Sequence, residues 1–161
     1  MNKKIITVIV LFITVAICGC INSPIDDVNL LMPKISQNIE EGNNNYNDAV
    51  NFVNSRNYNA ADEKAKKSTA SFNEGLNKLI SLKNNDLNDT LYIQYIDLLK
   101  EELTLKQDAT MSLQLAIQYF KSGNNGTANQ YVKQANSLMI QGVSIQTERQ
   151  NLVANNPERF Q

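Results

Sequence analysis

The chain has 161 residues, with 15 Lys and Arg against 16 Asp and Glu, and it contains no His and no Trp. Without His, a Ser-His-Asp triad, a His-type zinc site and the Glu-x-x-His pairs of di-iron bundles are excluded. The slightly acidic balance argues against nucleic acid as a partner, since binding needs clustered Lys and Arg to neutralise phosphates. The sequence also lacks a calcium loop, a glycine-rich phosphate loop and a nucleophile elbow. We therefore expect a non-enzymatic protein that uses no cofactor and no metal.

The first twenty residues have the three parts of a secretory signal peptide. Two lysines at residues 3–4 form a cationic head, residues 5–17 are uncharged and apolar, and the small residue Gly19 precedes Cys20. This pattern predicts that residues 1–19 are a signal peptide that directs the rest of the chain across a membrane.

The residues before Cys20 resemble the lipobox of bacterial lipoproteins, in which an aliphatic residue, a small residue and Gly or Ala precede a lipidated Cys. Ile17, Cys18 and Gly19 stand in those three places. The junction also looks like that of short surface lipoproteins of methanogenic archaea. The resemblance covers the N-terminal region only, and it implies that Cys20 becomes the lipidated first residue and that residues 20–24 form an anchor and linker.

The apolar segment has an alternative interpretation as an uncleaved membrane anchor. Residues 5–21 carry no charge and reach the lower limit of the roughly 17 to 25 residues that span a bilayer. In either case the positive residues that precede the apolar run stay inside, so the rest of the chain lies outside the cytoplasm. We therefore predict a location at the extracytoplasmic side of the cell membrane. Membrane lipid is the expected partner of the anchor, and an envelope protein is a candidate second partner.

Beyond the signal, apolar residues recur at steps of three and four almost throughout, which is typical of amphipathic helices. No Cys follows Cys20, so the domain has no disulfide and depends on its core, for which about 140 residues suffice. The short breaks, rich in Asn and Gly, favour antiparallel neighbours. We predict an all-α, up-down-up-down four-helix bundle over residues 25–156, with helices at about 25–54, 58–83, 88–121 and 125–154 and a tail at 157–161.

Local signals support these boundaries. Asn57 and either Asn124 or Asn125 suit helix N-caps, because their side-chain oxygens accept hydrogen bonds from free backbone N–H groups. Gly123 suits the left-handed residue that ends the third helix. Pro33 lacks a backbone donor and predicts a kink or a late start of the first helix.

The chain aligns with itself without gaps at an offset of 67 residues, which places Asn57 on Asn124 and Gly75 on Gly142. Apolar positions agree better than identities, which suggests two copies of one helical hairpin. Chance agreement between two amphipathic hairpins is the alternative. Because Gly inside a helix costs roughly 1 kcal/mol relative to Ala, its occurrence at both aligned positions favours close helix approach over a cavity.

Aromatic residues gather near the two predicted turns that join the first helix to the second and the third to the fourth. If the first helix leads away from the membrane, this is the distal end of the bundle. The residues could form a cleft for a small ligand or a patch for a partner, and an aromatic plug that closes the bundle is the alternative. The candidate residues are Phe52, Tyr58, Tyr119, Phe120 and Tyr131.

One acidic residue interrupts the apolar pattern of the third helix. Glu102 falls in its apolar row, with Lys106 one turn later. A pair at this spacing is favourable by roughly 0.2 to 0.5 kcal/mol. We predict a snorkelling or rim position for Glu102 rather than a buried acid.

Two Asn-x-Thr sequons, which begin at Asn88 and Asn125, fall in predicted loops. Loop placement makes both candidates for N-glycosylation. Helix capping explains Asn residues at the same places, so both interpretations stay open.

These patterns predict a membrane-anchored, extracytoplasmic helical lipoprotein that acts as a non-enzymatic binding or structural module. The alternative is a small-molecule sensor or an accessory ligand-binding component of an envelope transport system. A concave aromatic pocket at the distal end would favour ligand binding. A filled end together with an exposed apolar stripe would favour protein assembly.

Overall fold

The computed structural model describes residues 24–83 and 89–160, and these residues contain helices and turns but no strand. The all-α prediction is confirmed, and each helix boundary lies within two residues of the predicted one. The elements are α1 Pro24–Asn54, α2 Tyr58–Lys83, α3 Thr90–Lys121 and α4 Asn125–Ala154, followed by a short 3-10 helix at Pro157–Arg159.

The four helices form two antiparallel hairpins, α1 with α2 (hairpin 1) and α3 with α4 (hairpin 2), and α2 packs against α3 to join them. This is the predicted up-down-up-down arrangement. Helix α4 is an outer helix and, unlike α2 and α3, does not pack closely against helices on two sides. No Cα atom of α4 in the described part of the chain lies within 8 Å of α1 or α2.

Helix α1 passes through Pro33 without interruption. Proline removes the hydrogen bond that its N–H would donate one turn back. The helix nevertheless starts at Pro24. The prediction that Pro33 delays the start of the helix was therefore wrong.

The turns that end α1 and α3 have the same hydrogen bonds at the 67-residue offset. The N–H of Asn57 donates to Phe52 O at 2.8 Å, and the N–H of Asn124 donates to Tyr119 O at 2.9 Å. In both turns the Asn side chain accepts from the backbone N–H three residues later at 3.2 Å. The two predicted caps are confirmed, and the shared bonding supports the duplicated hairpin.

Each turn also contains one residue in the left-handed region. Gly123 has φ +79°, as predicted, and Arg56, the residue aligned with it, has φ +59°. Because a Cβ atom crowds the backbone in this region, the same turn is more strained in hairpin 1.

The interior has a large-residue part near the base, where α1 begins, and an Ala-rich part near the two turns. Phe72 packs so tightly on Gly42 that a Cβ atom at Gly42 would overlap its ring. The base cluster comprises Ile35, Phe72, Leu79, Leu82, Ile96, Leu99 and Leu103. The turn cluster comprises Tyr46, Ala49, Ala61, Ala65, Ala109, Leu113, Ile117 and Ala135.

Gly75 and Gly142 mark the close approach within each hairpin. A Cβ atom at Gly75 would lie 3.6 Å from Asn38 Cβ, and one at Gly142 would lie 3.6 Å from Leu105 Cβ. Asn38 and Leu105 are themselves aligned at the 67-residue offset. The helices therefore meet at the same point in both hairpins, in agreement with the predicted close approach.

Candidate functional site

Four of the five predicted aromatic residues form two stacked pairs at the turn end. Tyr58 and Phe120 lie with ring centroids 5.2 Å apart and planes 3° apart, and they connect α2 to α3. Tyr119 and Tyr131 lie 5.5 Å apart at 7° and connect α3 to α4. Phe52, like Tyr58, packs against the turn cluster.

These aromatic rings are half-buried and cover one another. Stacked pairs of this kind contribute roughly 0.5 to 1.5 kcal/mol beyond the area they bury. The geometry is that of an end filled by stacked, half-buried rings. The use of these five residues as a site stays a prediction.

Glu102, Lys106 and Arg149 form a buried ionic network between α3 and α4. The carboxylate of Glu102 has no exposed surface, and it accepts from Lys106 Nζ at 2.7 Å and from Arg149 Nε at 3.0 Å. Lys106 Nζ also donates to Gln146 Oε1, and Arg149 Nη1 donates to Tyr95 Oη, both at 2.9 Å. One carboxylate thus serves two cations, each of which has a further polar partner.

The side chain of Arg149 is only 14% exposed, and its guanidinium carbon lies 5.3 Å from the centre of the Tyr95 ring. Burial lowers the pKa of Arg149, but its interactions with Tyr95 and Glu102 outweigh that cost and raise the pKa above its usual value. Arg149 therefore stays protonated throughout the physiological pH range.

The predicted rim position of Glu102 was wrong, because the residue is fully buried. Its pairing with Lys106 was predicted, but Arg149 comes from another helix, 47 residues later in the chain. The helical pattern of α3 alone cannot reveal this second cation. A carboxylate is tolerated inside only when such partners replace its lost hydration.

The internal alignment contains the signal that would have located this network. At the 67-residue offset four of its five members occupy positions that are apolar in hairpin 1. In the order Glu102, Lys106, Gln146 and Arg149, the aligned residues are Ile35, Ile39, Leu79 and Leu82. The match of apolar residues between the two hairpins fails at these four positions, where hairpin 2 has three charged residues and one amide. Such a failure indicates that these side chains form polar contacts.

The last residues pack back onto α3 and form what we call the C-terminal clasp, although they were predicted only as a tail. The Phe160 ring lies 5.1 Å from the Tyr92 ring and 5.4 Å from the Tyr95 ring. Tyr92 Oη donates to Arg159 O at 2.5 Å, and the Arg159 guanidinium pairs with Asp89. The clasp closes the base of hairpin 2 beside the ionic network.

Tyr46 brings a hydroxyl group into the turn cluster. The residue is buried, and its Oη has no hydrogen-bond partner among the described residues. Burial raises the pKa of Tyr46 to about 12. The residue aligned with it is Leu113, so hairpin 1 carries a polar atom where hairpin 2 has none.

An open depression of about 560 Å³ lies along the base of α3, lined by side chains between Thr90 and Glu101. It is at the opposite end from the aromatic residues. None of the described helices has a stretch apolar and long enough to cross a bilayer. Over residues 24–83 and 89–160, no group of three or more Cys, Asp or Glu residues is placed to hold a metal ion.

The predicted modification sites divide between described and undescribed residues. Cys20, Asn88 and the signal peptide at 1–19 lie outside the described residues. The predicted loop position of the second sequon was wrong, because Asn125 is the first residue of α4. Asn125 is exposed, and its neighbour Asn124 provides the cap. Asn125 is therefore accessible and is not used as the capping residue, and its glycosylation stays a prediction.

The fold and the polar network define an all-α protein built from two helical hairpins. Comparison of the chain with known protein families, with curated proteins and with solved structures finds no match.

Proposed function

We propose that the chain is a membrane-anchored, extracytoplasmic lipoprotein whose helical domain acts as a non-enzymatic binding or structural module. The observation that carries the proposal is a lipobox-like sequence ending in Cys20, followed directly by a bundle of two long hairpins. With a rise of 1.5 Å per residue, α1 spans about 45 Å. Such a bundle can hold its aromatic end well away from the surface that anchors its base.

The side chains of the domain support this assignment. The three buried charged groups hydrogen-bond to one another and to neighbouring side chains, and so contribute to structure. The aromatic rings at the distal end stack on one another. This filled end supports the binding or structural module over the small-molecule sensor, which would need a concave aromatic pocket there.

Mass spectrometry of the mature chain tests the anchor. We expect the sequence to begin at Cys20 and its mass to include covalently attached lipid. An intact Met1, or an unmodified Cys20, would contradict the proposal.

The two neighbouring cysteines provide a matched pair of variants. Cys20→Ser should release the protein from the membrane fraction, because it removes the thiol that takes the lipid. Cys18→Ser should leave the protein membrane-bound, since position 18 precedes the cleavage site. Equal behaviour of the two variants would count against lipid attachment at Cys20.

A further inference from the structure

The C-terminal clasp lies on α3 as a separate segment rather than as part of α4. Helix α4 ends at Ala154, and the chain then turns into the short helix Pro157–Arg159, which is followed by Phe160. Arg159 and Phe160 contact α3 through two side chains and one main-chain carbonyl group. The surface that receives them, which we call the clasp site, comprises Asp89, Tyr92 and Tyr95.

The clasp site selects the arginine of the clasp by charge. Asp89 uses Oδ1 to cap α3, where it accepts from the N–H of Leu91 at 2.9 Å. Its other oxygen, Oδ2, pairs with the Arg159 guanidinium. The two side chains are 33% and 51% exposed, and an ion pair this exposed adds little affinity. Its contribution is selectivity, because a neutral side chain would leave the carboxylate unpaired and an acidic one would be repelled.

The clasp site receives the aromatic residue through one hydrogen bond to the main chain and two ring contacts. Tyr92 Oη donates to the main-chain oxygen of Arg159 at 2.5 Å, a contact that any residue could make. The Phe160 ring lies against the rings of Tyr92 and Tyr95 at tilts of 49° and 46°, and tilted aromatic pairs are favourable. These contacts define a short recognition sequence, an arginine followed by an aromatic residue.

The clasp can leave this surface without disturbing the hydrophobic interior. Pro157, Glu158 and Arg159 are exposed, and Phe160 is half-buried. Of the described residues, those of the clasp belong to neither the base cluster nor the turn cluster. Segments with few buried apolar contacts open at the lowest free energy. The clasp is therefore among the first parts of the described chain to detach.

The clasp site keeps its shape when the clasp is absent. Asp89 is held by the cap that it provides to α3. The hydroxyl group of Tyr95 accepts from Arg149 Nη1 at 2.9 Å, so the ionic network positions its ring. Neither contact involves the clasp. A vacated site is therefore preorganised, and binding of a new segment requires little ordering of the protein.

We propose that the clasp site is a docking site for a partner protein that presents an arginine followed by an aromatic residue in an exposed segment. The clasp occupies the site in the free molecule and is displaced when the partner segment takes its place. Because the clasp is tethered to α4, it competes at a high effective concentration. The clasp thus keeps the site closed to isolated peptides and opens it to a partner with further contacts. This docking does not depend on the membrane anchor.

Peptide binding to the full chain in detergent tests the docking site. The probe is a synthetic peptide with the sequence of residues 155–160, and the vacated protein is the double variant Arg159→Ala with Phe160→Ala. Both positions lie outside the two core clusters, so the helical circular dichroism should not change. Titration should give saturable shifts of the Tyr92 and Tyr95 ring resonances in nuclear magnetic resonance spectra. The parent chain, whose clasp fills the site, should need on the order of tenfold more peptide. No saturable shift in the double variant, or an equal response of the parent chain, would overturn the proposal.

The recognition sequence is tested by changing the probe. A peptide rich in Gly and Ser that contains an Arg-Phe pair should also bind the double variant, because the contacts come from the pair and not from its flanks. The reversed pair, Phe-Arg, should bind on the order of tenfold more weakly, since the ring contacts are lost. Equal binding of the two orders, or failure of the Arg-Phe peptide to bind, would rule out recognition of this sequence and with it the proposal.

Two conservative variants of the clasp site, made in the double-variant chain, separate recognition from a structural role. Asp89→Asn preserves the cap, since Asn caps helices as well as Asp, but it removes the charge. It should weaken the Arg-Phe peptide by up to about fivefold and leave a Gln-Phe peptide unchanged. Tyr92→Phe keeps the ring and removes the hydroxyl group, so it should weaken both peptides alike. Equal effects of Asp89→Asn on the two peptides would contradict the proposed selection of arginine by charge.

Failure of the docking site is distinguishable from failure of the anchor. Lipid on Cys20 without peptide binding to the vacated site refutes only the docking. Peptide binding with an unmodified Cys20 refutes lipid attachment and leaves the docking intact.

Discussion

Hairpins 1 and 2 share a backbone design but differ in what holds their bases together. In hairpin 1 the base is apolar, and Ile35, Leu79 and Leu82 are fully or almost fully buried. In hairpin 2 the aligned positions carry Glu102, Gln146 and Arg149, which hydrogen-bond within the ionic network. Hairpins with the same turns and the same glycine contact can therefore have either an apolar base or an ionic base.

This difference between the two bases depends on where each hairpin lies in the molecule. Hairpin 1 is covered by α3 on its second side, so its base residues meet apolar groups from three helices. Helix α4 has α3 as its one neighbouring α-helix within the described residues, so fewer apolar groups surround it. Because ions need defined partners, we expect this ionic network to contribute to the register of α3 and α4 more than to net stability.

Among the variants that test this comparison, removal of the Glu102 carboxylate should lower the free energy of unfolding most. Glu102→Gln leaves Lys106 and Arg149 buried without their anion, and breaking a buried ionic contact costs roughly 3 to 5 kcal/mol. Urea denaturation measures the loss. Glu101→Gln, an exposed neighbour, should change stability by less than about 0.5 kcal/mol. A small effect of Glu102→Gln would mean that the network contributes little to the fold.

Hairpin 2 can be given the chemistry of hairpin 1 by four substitutions at the network positions. The combined variant is Glu102→Ile, Lys106→Ile, Gln146→Leu and Arg149→Leu. Because replacing a buried ionic group by well-packed apolar residues is often neutral or stabilising by roughly 1 to 4 kcal/mol, we expect a melting temperature equal to or above that of the parent chain. Glu102→Ile alone should lower it. A combined variant less stable than this single variant would show that the two bases are not interchangeable.

Tyr46 provides a pH-dependent difference between the hairpins, since Leu113 is aligned with it. The pKa of Tyr46 is raised to about 12 in the fold, against about 10 in the unfolded chain. The folded state therefore favours the protonated phenol, and this contribution is complete below pH 10 and is lost as the pH rises through 12. The loss is about 2 to 3 kcal/mol.

Stability curves of the parent chain and of Tyr46→Phe between pH 8 and 12 measure this contribution, because subtraction removes the titration of other residues. At neutral pH the variant should be as stable as the parent chain or more so, since it removes an unpaired buried hydroxyl. Parallel curves above pH 10 would contradict the predicted titration.

The interior glycines test whether the close contacts are equally tight. Gly42→Ala should destabilise the domain by roughly 1 to 3 kcal/mol, because its Cβ would overlap the Phe72 ring. Gly75→Ala should stabilise it by up to about 1 kcal/mol, since the nearest atom is 3.4 Å away and Ala favours the helix. Gly142→Ala should gain less, because Lys106 Cγ would lie at 3.0 Å. Thermal melts of the three variants give the order, and a gain at Gly42 would contradict it.

The smallest expected effect concerns the two left-handed turn residues. Arg56→Gly should stabilise the chain by about 1 kcal/mol, because it removes a Cβ atom from the left-handed region. Gly123→Ala should cost a similar amount for the opposite reason. Denaturation midpoints of the two variants should therefore move in opposite directions. A shift in the same direction would mean that the two turns are not equivalent.

Apolar periodicity predicted the four helices, their order and both turns, because these features depend on neighbours close in sequence. Asn124 and Gly123 are examples, since capping and left-handed backbone are local requirements. Pairing between distant helices was not predictable in this way. The partner of Glu102 on α4, and the contact of Phe160 with Tyr92, depend on which faces meet in the folded chain.

The candidate aromatic site was predicted as a set of residues but not as a geometry. Helical spacing placed Tyr58 and Phe120 at one end of the bundle. Whether their rings enclose a cleft or stack depends on the distance and rotation of α2 against α3, which periodicity does not determine. The internal repeat was more informative, since it predicted which positions of the two hairpins are equivalent.

Within residues 24–83 and 89–160, α3 is the one α-helix that packs against α4, and this affects how the molecule opens. Native proteins open in cooperative parts, and the part with the fewest packed surfaces detaches at the lowest free energy. Separation of α4 from α3 would return Glu102, Lys106 and Arg149 to water, where each ion is well hydrated. Separation of α1 from α2 would instead hydrate Ile35 and the leucines around it. Amide hydrogen exchange should therefore be faster in α4 than in α2.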